Sequence, residues 1–167
     1  MHINHHNPFK EKCHNLLSLD FTCCTSIQPG FFIKFFYNFP LLTKINLTGS
    51  LVDDETFNSI GSLCSGLREM IATDSTISDK GLLHLCRGEE GLRCRNLVSV
   101  SLAKTKCSAW GVASMLHFHP RLVHLGWPDI SLVFQSFQDP DMVETTGQVQ
   151  FVVSFFTPAM NLSEKSK

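Results

Sequence analysis

Seven cysteines and eight histidines give this 167-residue chain its most reactive side chains. Cys23-Cys24, Cys86 and Cys94, with His14 and His84, are of the types that hold zinc or pair a thiolate with an imidazole base. Zinc ligands usually come in closely spaced pairs such as C-x-x-C, and no such pair exists here. The histidines at His2, His5 and His6 sit near a chain end, which offers a metal no fixed geometry. His117, His119 and His124 straddle a turn and a strand without an acidic partner at useful spacing, and read as a solvated surface. There is no P-loop, no glycine-rich dinucleotide turn and no G-x-S-x-G elbow. The expectation is no catalytic residue, no metal, no cofactor and no enzyme.

The cysteines make more sense as parts of a repeating unit. In residues 94–118, CRNLVSVSLAKTKCSAWGVASMLHF, Leu97, Val100 and Leu102 follow L-x-x-L-x-L, which puts Val100 and Leu102 on one face of a strand. Val112, Met115 and Leu116 then stand at i, i+3 and i+4, the apolar stripe of a helix. One strand and one helix cannot close a core, so the unit requires neighbours.

Those neighbours are present. The motif starts at Leu16, Leu42, Leu67, Leu97 and Leu122, a period of about 25 residues with one longer interval. That interval contains Gly88-Glu89-Glu90-Gly91, a polar insertion with loop chemistry. Cys13, Cys64 and Cys94 precede the leading leucine by the same offset, as expected of small buried residues where the chain turns between units. Val52, Ile77 and Cys107 form a second aligned set, and Phe57, Leu82 and Val112 a third. The first helical stripe is Phe32, Phe35, Phe36 and Phe39. Asp53 or Asp54, and Ser78 or Asp79, are placed to cap helices. Gly81 and Gly111 occupy equal offsets, which close packing or family habit would explain equally well. In the fifth copy Pro128 and Asp129 precede an apolar stripe of Ile130, Val133, Phe134 and Phe137, suited to shielding the end of a stack. The organisation expected is a disordered tail at 1–12, repeats at 13–138, and a linker and tail at 139–167.

Composition narrows the partners. A formal charge of -1, from 14 basic and 15 acidic residues spread along the chain, gives no footprint for nucleic acid or an anionic membrane. The densest apolar run, FFIKFFYNF at 31–39, is too short to span a bilayer. The first residues lack the apolar core of a signal peptide, and an odd number of cysteines fits reduced thiols, so a cytoplasmic or nuclear location is expected. Asn46-Leu47-Thr48 and Asn161-Leu162-Ser163 match a glycosylation pattern that such a location would not use.

The repeats resemble the cysteine-containing leucine-rich repeats of F-box/LRR proteins and their ribonuclease-inhibitor-like relatives. SGLREMIATDSTISDKGLLHLC is the segment most similar to that unit, through Leu67, Met70, Ile77, Asp79, Gly81, Leu82, Leu85 and Cys86. The resemblance implies an α/β fold, a right-handed solenoid of about five strand-helix units with parallel strands on the concave face. It also implies a face that holds other proteins, commonly substrates of ubiquitin ligases. An F-box would need about forty residues ahead of the first unit, so recruitment through one is not expected.

Alternation assigns the concave face. It comprises Ser18 and Asp20, Lys44 and Asn46, Glu69 and Ile71, Ser99 and Ser101, and His124 with Gly126, extended by Thr22, Thr48, Thr73, Ala103 and Pro128. This small, polar surface of mixed charge suits a protein partner. The expected function is a non-catalytic interaction module. The alternative is a structural or regulatory subunit that packs into an assembly through its solenoid ends.

Overall fold

The computed structural model describes residue 13, residues 15–87 and residues 94–128. The tails expected at 1–12 and 139–167, the Gly-Glu-Glu-Gly insertion and the capping stripe of the fifth copy lie outside them.

Five strands form one parallel sheet in chain order: β1 (Ser18–Asp20), β2 (Lys44–Asn46), β3 (Glu69–Ile71), β4 (Ser99–Ser101) and β5 (His124–Gly126). Four helices connect them: α1 (Pro29–Asn38), α2 (Asp54–Leu63), α3 (Asp79–Arg87) and α4 (Ala109–Phe118). Each parallel crossover returns the chain beside its previous strand, and the helices stack on one another behind the sheet. The result is the leucine-rich-repeat solenoid expected from the sequence. Leu19, Ile45, Met70, Val100 and Leu125 pair in register as successive rungs. From Ile45 onward each rung is buried, in a core shared with Phe32, Phe36, Phe57, Ile60, Leu82, Leu85 and Val112. Among the described residues no helix is long and apolar enough to cross a membrane.

Helix starts are specified locally, in two ways. Asp53 caps α2 by accepting from the Thr56 N–H at 2.9 Å, while the Thr56 hydroxyl accepts the Asp53 N–H at 3.4 Å. Ser108 caps α4 by accepting from the Gly111 N–H at 3.2 Å. Asp54 and Asp79, each the first residue of its helix, do something else. The Asp54 carboxylate accepts both the Ser78 N–H, at 2.9 Å, and the Ser78 hydroxyl, at 2.6 Å. Asp79 holds Ser108 in the same way, at 2.7 and 2.6 Å. A bidentate carboxylate from one helix therefore grips the residue that opens the next.

This clasp accounts for Gly81 and Gly111. A Cβ at Gly81 would come within 2.6 Å of Asp54 Oδ1, and one at Gly111 would overlap the Asp79 carboxyl group. The equal offset is imposed by the preceding unit's carboxylate.

The bend after each strand repeats as closely. Cys23, Gly49, Asp74 and Lys104 hold the same place in their units and share left-handed backbone, with φ of 57°, 63°, 54° and 57°. Only one is the glycine that this conformation favours. The next residue fastens the bend in three units, where Ser50, Ser75 and Thr105 donate their hydroxyls to the carbonyls of Leu47, Ala72 and Leu102.

Candidate functional site

The strands are three residues long, so each presents two side chains to the concave side and one to the core. The register assembles these into two rows. One runs Ser18, Lys44, Glu69, Ser99, His124; the other runs Asp20, Asn46, Ile71, Ser101, Gly126. All ten residues are exposed or half-buried. Every residue assigned to this face by alternation is thus on it, and the structure brings them together as one surface.

The N-terminal half of the face is organised by hydrogen bonds. Asp20 accepts the Thr22 hydroxyl at 2.6 Å and the Thr22 N–H at 2.8 Å, and these two donors hold its carboxyl below the usual carboxylate range. Asn46 donates to the same carboxylate at 3.2 Å, and its own carbonyl accepts the Thr48 N–H and hydroxyl at 3.1 and 2.8 Å. The Thr48 and Thr73 hydroxyls are 2.9 Å apart. Lys44 Nζ lies 2.8 Å from Glu69 Oε2, with both side chains half exposed, so solvent leaves this pair worth about 0–1 kcal/mol. Toward the C-terminal half the rows carry small residues, Ser99, Ser101 and Gly126, beside exposed His124. Gly126 leaves room for the Ser101 hydroxyl, which a Cβ there would overlap.

The cysteine and histidine positions form a different arrangement. Cys64 and Cys94 are buried in the core, and Cys13 is half-buried. The Cys94 thiol donates to the Cys64 and Ile60 carbonyls at 3.1 and 3.3 Å, closing the end of α2. Burial pushes Cys64 up to about 12 and Cys107 up to about 11, and drives Cys94 in the same direction. Among the described residues no group of three or more His, Cys, Asp or Glu is placed to hold a metal.

His119 corrects its expected place on a solvated surface. It is 2% exposed and sits at the unit position that Cys64 and Cys94 occupy. That alignment with the cysteines was the available signal. Its Nδ1 lies 2.9 Å from the Met115 carbonyl, which can only accept, so Nδ1 carries the proton. That nitrogen cannot also serve as a base for the Cys86 thiol 3.9 Å away. Burial lowers the His119 pKa, and the ring stays neutral.

Native-state labelling with a thiol reagent should therefore separate fast from slow cysteines. Exposed Cys23 is expected to react first, and Cys64, Cys94 and Cys107 at least about a hundredfold more slowly, since the thiolate is the reactive form. A buried cysteine that kept pace with Cys23 would contradict this.

Solved structures similar to this chain include the tropomodulin C-terminal domain of Caenorhabditis elegans. It aligns at a TM-score of 0.60 and 11% identity over 81% of this chain and 89% of that one. Leiomodin-1 actin-binding site 2 aligns at 0.57 and 12%, over 81% and 90%. No family model matches the chain, and no curated protein does. At such identities the likeness is one of fold.

These neighbours correct the resemblance to F-box/LRR proteins, because the structures found are tropomodulin and leiomodin domains and no F-box signal accompanies the repeats. The physical reason is that the leucine, cysteine and glycine offsets are demanded by stacking strand-helix units. They mark the solenoid, not one lineage within it. The ubiquitin-ligase role rested on that resemblance and falls with it.

Proposed function

We propose that the chain is a non-catalytic protein-interaction module that binds its partner on the concave face. The observation that carries this reading is the pair of in-register rows, whose N-terminal half is held in place by the Thr22, Asp20, Asn46, Thr48 and Thr73 hydrogen bonds. Side chains fixed before binding lose less conformational freedom on binding. One of the similar structures is named an actin-binding site, which makes actin the first partner to test. A cytoplasmic or nuclear location with reduced thiols fits the reading.

The charge swap Lys44→Glu with Glu69→Lys keeps the ion pair but reverses its direction on the face. It is expected to leave the circular dichroism unchanged and to weaken co-sedimentation with actin about tenfold or more. Unchanged binding by the swapped variant would refute the concave face. Failure of the parent chain to bind actin would remove actin as the partner.

The reading as a subunit that packs through its ends has one observation in its favour. The first unit leaves Leu17 54% and Phe31 46% exposed beside half-buried Leu16, Leu19 and Phe21. A sedimentation coefficient that rises with concentration would support it.

A further inference from the structure

Among the described residues, the charged side chains on the rim just ahead of the strands are arginines: Arg68, Arg95 and Arg121. Backbone bonds of 2.8 Å run from Thr43 N to Leu17 O, Arg68 N to Thr43 O, Val98 N to Arg68 O and Val123 N to Val98 O. They set Leu17, Thr43, Arg68, Val98 and Val123 in one row just ahead of the sheet. Two adjoining clefts open along its C-terminal part. One, of about 320 Å³, is lined by Arg68, Asn96, Val98 and Arg121. The other, of about 530 Å³, is lined by Arg95, Asn96, His117 and Arg121 among others. Asn96 and Arg121 border both clefts, and Asn96 Oδ1 accepts from Arg121 Nη1 at 3.1 Å. Asn96 is itself anchored, donating to the Ser65 carbonyl at 3.1 Å.

Among the described residues no carboxylate lines either cleft, and neither ion pair formed by them involves an arginine. Acids gather instead on the opposite rim, at Asp53, Asp54, Glu55, Asp74 and Asp79. Arg68 and Arg121 line one cleft and Arg95 and Arg121 the other, and an incoming carboxylate can take two parallel hydrogen bonds from a guanidinium. His117 adds a buried Nδ1 without a hydrogen-bond partner beside the larger cleft.

The rest of the rim selects the form of the anion. The C-terminal end of α4 points its carbonyls to this side, a negative field that the arginines offset and that weighs more against a doubly charged phosphate than against a singly charged carboxylate. The clefts are open and continuous, as an extended chain requires. Farther along the same rim, Leu17 and Leu41 are 54% and 51% exposed. We propose that this rim binds an acidic segment of a partner protein, with carboxylates on Arg68, Arg95 and Arg121 and an apolar residue toward Leu17 and Leu41. This is a second surface, separate from the concave face.

Fluorescence anisotropy with the full chain tests it. The probe is a labelled peptide with a Leu-Phe pair joined to a run of glutamates, compared with the same peptide carrying glutamines. The glutamate peptide is expected to bind in a salt-sensitive way, the glutamine peptide about tenfold or more weakly. Arg95→Glu with Arg121→Glu, both exposed positions, should abolish binding, whereas the Lys44/Glu69 swap should leave it intact. Equal affinity for the two peptides, no binding of either, or full binding by the arginine variant would each overturn the proposal. So would saturable binding of pyrophosphate without binding of the peptide, which would indicate a phosphate site.

Discussion

Truncating Leu67 to alanine is expected to cost about 4 kcal/mol, and the same truncation at Leu122 about 2 kcal/mol. Both residues lead their units, so local chemistry and position are matched. Leu67 is fully buried with a described strand-helix unit on either side, and the surroundings cannot close over the lost volume. Leu122 is 8% exposed and opens the last described strand. The larger loss is a sizeable part of the ~5–15 kcal/mol net stability of a domain. In a linear stack it falls on both flanking interfaces at once. Urea denaturation followed by far-ultraviolet circular dichroism would measure both, and equal losses would contradict a one-dimensional array.

The second large effect is a coupling. Gly111→Ala should gain about 1 kcal/mol of helix propensity but lose about 3 kcal/mol by displacing the Asp79 carboxylate from Ser108, a net cost of about 2 kcal/mol. With Asp79 already alanine the clasp is gone. The same Gly111→Ala change should then be nearly neutral, the propensity gain offsetting the 3.0 Å approach of the residue 79 Cβ. Denaturation of the four proteins of this cycle yields the coupling directly. Additive costs would mean that Gly111 is glycine for another reason.

Leucine spacing and strand alternation were enough to place every rung and every concave residue, because both follow from the chain's own period. The features that escaped sequence reasoning depend on a neighbouring unit or on residues outside the strands. Asp54 and Asp79 read equally well as caps, since nothing local shows that the next unit's serine lies within reach. Gly81 and Gly111 were ambiguous for the same reason. The left-handed bend was marked only at Gly49, while Cys23, Asp74 and Lys104 adopt it without the residue type that signals it. Alternation stops at the strand ends, so the rim arginines went unseen. The family resemblance failed because its offsets belong to the architecture.

The carboxylate clasp does not continue indefinitely. Among the described helices it joins α2 to α3 and α3 to α4 through Asp54 and Asp79, but α1 begins with Pro29, whose side chain has nothing with which to grip the opening of α2. Under a pulling force applied along the stack, the seam between α1 and α2 would rely on strand pairing and apolar contact, while the two seams after it also resist with their carboxylate-serine latches. Among the described seams this one is the weak joint, and their unravelling under load would start from the N-terminal side.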